Sequence, residues 1–191
     1  MNYRFVFLFV VIFSGMLFPS GYSAGRDTAL INFIRNTFYE SVEDEDKTYS
    51  LEKFITAKFG EDQSKYDPVI LAYFGAVEAL KGKHAFNPFS KLNHVIRALD
   101  IIEVAVKKEP RSLEIRFVRF SILHHLPGIL GYGSERDEDL LVICQLLKER
   151  NYSEVNPKLQ QGIVQFMIDS ERLDDTQLED MKRIAITLAD K

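Results

Sequence analysis

Cysteine is nearly absent from this chain: Cys144 is the only one in 191 residues. One thiol allows no intramolecular disulfide, so packing must hold the fold. A basic excess is missing as well. With Arg4 set aside, 23 basic residues face 28 acidic ones, a net charge of −5. That excludes a general nucleic-acid binder, which needs a basic footprint. Signature motifs of catalysis are also lacking. There is no phosphate-cradling glycine loop, no His-Glu-x-x-His and no nucleophile elbow. Beyond residue 24 no apolar run is long enough to span a membrane. Neither a low-complexity tract nor a long linker divides the chain.

What is present begins with a targeting segment. Arg4 gives a short basic start, and residues 5–18 are apolar except for Ser14 and Gly15. Pro19 to Ala24 then supply turn formers and small residues, the layout of a secretory signal over residues 1–24. Cleavage after Ala24 leaves bulky Tyr22 three positions back. Cleavage after Ser23 leaves Gly21 there, a better fit. Export to the periplasm or medium is the expectation, with an N-terminal membrane anchor as the alternative if the signal is retained. Residues 25–191 are enough for one domain with a real core.

Apolar residues recur every three or four positions, predicting an all-α fold of eight helices. The first stripe is Leu30, Phe33, Ile34, Phe38 and Val42, ended by a solvated acidic turn, Glu43–Asp46. A short second helix carries Leu51, Phe54, Ile55 and Phe59 and stops at Gly60. Asp67-Pro68, Asn87-Pro88 and Asn156-Pro157 are start signals, a capping residue followed by proline at the first helical position. The fifth helix runs from about Ser112 to Leu126. Ser134–Asp137 resembles a capping box opening the sixth, which ends near Asn151. Asp174 caps the eighth. Short connections predict antiparallel hairpins. Cys144, among Leu140, Leu141, Ile143 and Leu147, reads as a buried, inert thiol.

Ala98, Ile102, Ala105 and Pro110 follow the rhythm of the second helix of a tetratricopeptide repeat, and the middle of the chain resembles that family. Small Ala98 and Ala105 let two helices approach, Ile102 fills the gap, and Pro110 ends the helix. The following helix departs from the pattern, with Arg116, Arg119 and Phe120 where the repeat has an aromatic, a leucine and a glycine. A second resemblance rests on Tyr73–Ala76, Lys83-His84, Asn87-Pro88, Lys91, Glu114–Phe117, Arg119–Ser121 and Gly131-Tyr132. These residues are similar to an uncharacterised group of small exported bacterial proteins. That likeness implies export and a helical fold, and carries no activity.

Five charged residues interrupt or border apolar helices: Glu78, Lys91, Glu114, Arg116 and Arg119. Arg116 and Arg119 are three apart and share a helix side. Arg119 is expected to be buried against Glu78 or Glu114, its stem packed and its head paired. Two readings stay open. The group is structural glue fixing helix register, or it is a clamp for an anion or a peptide carboxylate, which arginine forks suit. The histidines are His84, His94, His124 and His125. The adjacent pair point about 100° apart and are poorly placed to share an ion. The loop Gly128–Gly133 is expected to fold its apolar residues back onto the helices.

The expected function is an exported module binding a protein or peptide, without enzymatic activity, cofactor or metal. The alternative is a small exported ligand-binding protein or enzyme using the Glu/Arg group.

Overall fold

The computed structural model describes residues 27–150 and 155–189. The expected signal, residues 1–24, and Asn151 lie outside the described residues. Among the described residues there are eight helices: α1 (Thr28–Ser41), α2 (Glu45–Phe59), α3 (Pro68–His84), α4 (Pro88–Lys108), α5 (Leu113–His124), α6 (Gly133–Lys148), α7 (Pro157–Asp169) and α8 (Asp175–Ala189). Two single 3-10 turns, Gln63–Lys65 and Gly128–Leu130, lie in connections. There is no strand among the described residues, so the all-α expectation holds.

Capping chemistry sets most helix starts. The side chains of Asp27, Asp44, Asp67, Asn87, Ser112 and Asn156 each accept a first-turn backbone N–H. Asp174 caps α8 through Gln177 N at 2.8 Å, and Gln177 Oε1 accepts from Asp174 N at 3.0 Å, a reciprocal box. Two sequence expectations need correction. Glu43–Asp46 is not merely the end of α1. Asp44 caps α2, and Glu45 and Asp46 occupy its first turn, where acidic charge opposes the helix dipole favourably. Nor does Ser134 open α6. That helix begins at Gly133, after Gly131 turns the chain at a left-handed φ of 83°, and Ser134 Oγ donates to Glu135.

Contacts fix helix directions. Thr48 Oγ1 donates to Ser41 O at 3.0 Å and the Phe33 and Phe54 rings meet at 4.9 Å, so α1 and α2 are antiparallel. Lys81 reaches Glu52, while Tyr66 at the other end meets Phe59, which reverses α3 against α2. Gly75 lies against Ala98 and Ile102, and Gly82 against Lys91 and His94, which reverses α4 against α3. Gln161 donates to Leu188 O at 2.9 Å, closing α7 and α8.

Two apolar cores result. The first gathers α1–α4 around α3, whose residues Val69–Glu78 are all buried. The second gathers α6–α8 through Ile143, Leu147, Ile163, Met167, Met181 and Leu188. α5 belongs to both: Ile115 and Val118 face the first core, and Leu113, Phe117 and Phe120 the second. A helix buried all round has no solvent face on which to leave its charges. Among the described residues no helix is long and apolar enough to cross a membrane.

The α3–α4 crossing is close because Gly75 has no side chain and Ala98 and Ala105 have little; both alanines are fully buried. A Cβ on Gly75 would sit 2.5 Å from Ile102 Cγ1 and 3.0 Å from the Ala98 carbonyl oxygen. Ile102 can yield only by displacing a packed core, and the carbonyl belongs to the α4 backbone. Gly75→Ala should therefore lower stability by roughly 1–3 kcal/mol through overpacking. Urea unfolding checks this; an unchanged midpoint would mean that the crossing is loose.

Candidate functional site

The five charged residues singled out in the sequence do not form one constellation. Four of them divide among three ion-pair clusters, each built on a buried carboxylate, and Lys91 stands outside all three.

Glu114, in the first turn of α5, faces α1. Arg35 holds it through two parallel bonds, Nε to Oε1 and Nη2 to Oε2, both 2.5 Å. Tyr73 on α3 donates its hydroxyl to Oε1 at 2.8 Å, and Asn32 accepts from Arg35 Nη1 at 2.7 Å. Burial and the adjacent Glu114 carboxylate raise the Tyr73 phenol well above its usual range, so it stays a donor.

Arg116 and Arg119 face the opposite way. Both grip Asp139 of α6, a carboxylate with 0 % of its surface exposed. Arg119 makes a fork, Nε to Oδ2 at 2.7 Å and Nη2 to Oδ1 at 2.8 Å, and also donates to Glu103 on α4. Arg116 Nη1 donates to Asp139 Oδ1 at 2.8 Å and to Glu138 at 2.9 Å, while its Nε donates to Pro110 O at 2.8 Å. Burial pushes the Asp139 carboxyl up, and the two guanidiniums pull against that shift. Arg119 is thus buried as expected, but its carboxylates are Asp139 and Glu103, not Glu78 or Glu114. The reason is rotation: Glu114 leaves α5 toward α1, on the far side from the arginines.

Glu78 on α3 anchors the third cluster. His94 Nδ1 lies 2.9 Å from Oε1, Lys81 Nζ 2.9 Å from Oε2, and Arg97 at 3.4 Å. Burial pushes its carboxyl up, but the His94 and Lys81 hydrogen bonds outweigh this, so its pKa falls below 4.5. Lys91 joins no carboxylate here. Its Nζ donates to Lys83 O at 2.9 Å, satisfying a carbonyl near the end of α3.

Sequence reasoning missed Arg35, Tyr73, Glu103 and Asp139. Two carried a usable signal. Arg35 sits on the stripe Ile31, Ile34, Phe38, Val42, and Asp139 lies four before Ile143 on the buried face of α6. A charge at a core position of a helical stripe calls for a partner.

The remaining candidates are less polar. Cys144 is buried as expected, and burial with the charges of Asp174 and Asp180 pushes its thiol to about 11. The glycine-rich loop folds back only in part: Leu130 and Tyr132 are half-buried, but Ile129 is 93 % exposed, because the 3-10 turn at Gly128–Leu130 points it outward. Among the described residues no group of three or more His, Cys, Asp or Glu could hold a metal ion. Among the described residues two cavities stand out. One, of about 50 Å³, is lined mainly by apolar groups of α1, α3, α4 and α5. The other, of about 470 Å³, is a groove between α6 and α8. None of the five charged candidates lines either. The chain matches no known family profile, no curated protein and no solved structure.

Asp139→Asn should cost about 3–5 kcal/mol, because it leaves two buried guanidiniums without their shared anion. Chemical unfolding measures it, and a loss under about 1 kcal/mol would show that the arginines find water instead.

His124 gives a pH dependence with a definite sign. Burial, then His125 and Arg172, push its imidazole down to about 4. Arg172 Nε donates to His124 Nδ1 at 2.9 Å, which requires that nitrogen to be unprotonated. The unfolded ring titrates near 6.5, so the unfolded state binds the proton first. Stability present above pH 6.5 is lost as the pH falls toward 4. His124→Gln should flatten the curve of unfolding midpoint against pH between 6.5 and 5. Identical slopes in variant and parent would contradict this.

Proposed function

We propose that this chain is an exported, tetratricopeptide-like interaction module that acts by binding a protein or peptide rather than by catalysis, in the periplasm or outside the cell. The observation that carries the reading is the groove between α6 and α8. Leu141, Cys144 and Met181 give it an apolar floor, and Lys148, Asp174 and Asp180 line it with polar groups. Leu141 is 58 % exposed there, an apolar side chain on an ordered helix with no neighbour covering it. Grooves between helices with apolar floors and polar edges suit amphipathic segments of a partner.

The alternative, a ligand or substrate site at the Glu/Arg group, loses its motive from the same geometry. Arg116 and Arg119 already hold Asp139, Glu103 and Glu138, and Glu114 already holds Arg35. An incoming anion would have to displace a buried carboxylate that stays behind.

The test is site-specific photo-crosslinking from position 141 in the native envelope, beside capture with Leu141→Glu. A discrete cross-linked partner whose capture drops at least tenfold in Leu141→Glu supports the reading. Cross-linking confined to lipid or bulk protein, or capture indifferent to Leu141→Glu, overturns it. Leu141 is exposed, so the variant should keep the parent's unfolding midpoint within about 0.5 kcal/mol.

A further inference from the structure

The turn from α7 to α8 is tied to α5 by a bond that a proton breaks. Glu171 in this turn has a left-handed φ of 55°, which a residue with a Cβ adopts only at a cost. Leu173 is partly buried against the second core, and Asp174 caps α8. Arg172 leaves the turn and crosses to the end of α5. Its Nε donates to His124 Nδ1 at 2.9 Å and its Nη2 to the His124 carbonyl oxygen at 3.2 Å. An imidazole thus stands where an arginine ordinarily meets a carboxylate.

The groups around His124 oppose its protonation. From its own helix the His125 and Phe120 rings lie 4.8 Å and 6.1 Å away, and the Phe166 ring of α7 lies at 5.5 Å. Arg136 from α6 and Arg172 from the turn bring positive charge. The carboxylate of Asp137 acts on Arg172, and Arg136 holds it at 2.8 Å. Burial and Arg172 push the His125 imidazole down as well, so it responds in the same direction. A proton on His124 Nδ1 removes the acceptor and sets an imidazolium against the guanidinium. The carbonyl bond alone must then work against that repulsion.

The same turn sets one wall of the α6–α8 groove. Asp174, two residues after Arg172, lines the groove with Thr176 and Gln177 from the first turn of α8. Farther along, Lys148 holds Asp180 at 2.7 Å, and this hydrogen bond keeps the Asp180 carboxyl below its usual range. At pH 5 that tie remains, while the start of α8 loosens.

We propose that His124 and Arg172 form an acid-released latch on the start of α8, which keeps the groove in its binding shape at neutral pH and frees a bound partner as the pH falls. Release of a partner rests on the groove being a docking site; the latch itself does not. The released state takes the proton first, so the latch is whole above pH 6.5 and weakens as the pH falls toward 4. An imidazole titrating near 4 when latched and near 6.5 when released shifts the opening by about 30-fold between pH 7.5 and 5. Apparent affinity drops with the fraction of molecules that keep the wall in place.

Hydrogen exchange, corrected for its intrinsic pH dependence, tests the latch. The amides of Asp174, Gln177 and Leu178 are bonded in the α8 cap, and those of Lys47 and Thr48 in the α2 cap serve as reference. From pH 7.5 to 5, opening of the α8 cap in the parent should rise by about 30-fold relative to the reference. His124→Asn offers an acceptor near the same place with no proton to gain, and should lose most of that rise. Arg172→Met should open the cap already at pH 7.5; Arg172 is exposed, so the fold survives the change. An equal rise in parent and His124→Asn, or a cap as closed in Arg172→Met as in the parent, would overturn the proposal. Photo-crosslinking from position 141 in the native envelope separates the latch from docking. A discrete product that fades at pH 5 in the parent and persists in His124→Asn supports partner release. A product indifferent to pH while the cap opens overturns the coupling of latch to groove. No product at either pH overturns the docking reading, and exchange alone then decides the latch.

Discussion

Everything in this fold turns on the problem of placing charge on a helix that has no wet face. Ten of the twelve residues of α5 are buried, and three of the ten are Glu114, Arg116 and Arg119. An unpaired charge in such a place is prohibitively unfavourable. At about 100° per residue, Glu114 and Arg116 point to nearly opposite sides of the helix. The acid therefore needs a cation from α1, and the arginines need an anion from α6. Arg35 and Asp139 supply them, both buried themselves. Each pairing works in only one register of its helices. The charges thus specify how α1, α4 and α6 sit around α5, while apolar burial supplies the drive.

That division of labour leaves the arginine forks among the five charged candidates already engaged within the protein. An arginine fork can hold a ligand carboxylate only where a protein carboxylate has not already taken it. Arg119 meets Asp139 through both arms of its fork and Glu103 through the third nitrogen. Large exposed apolar side chains lie elsewhere, among them Leu141 in the α6–α8 groove and Phe86, Phe89 and Ile129 in the connections.

Helix number, most helix starts and most of the core were legible in the sequence, because caps and periodicity are local. Asp67-Pro68, Asn87-Pro88 and Asn156-Pro157 all open helices as read. On α1 the stripe Leu30, Ile34, Phe38 and Val42 packs into the core as read, while Phe33 is nearly half exposed and Ile31 and Arg35 are inside as well. The pairings themselves were not legible. Arg35 and Glu114 are 79 residues apart, and Arg119 and Asp139 are 20 apart across a turn whose length does not set rotation. Only tertiary geometry decides which acid a buried arginine meets. In the glycine-rich loop apolar composition reads correctly for the half-buried Leu130 and Tyr132, but the turn at Gly128–Leu130 directs Ile129 outward.

The central claim is that α5 and its three charges join two apolar cores into one cooperative unit. Native-state hydrogen exchange tests it directly, by comparing opening free energies for amides of α3, at the centre of the first core, with those of α7, in the second. If the claim holds, the slowest amides of both helices share one opening free energy and one denaturant dependence, since neither core can open without stranding charges of α5. Slow exchange in α3 beside much faster exchange in α7, each with its own denaturant dependence, would contradict it.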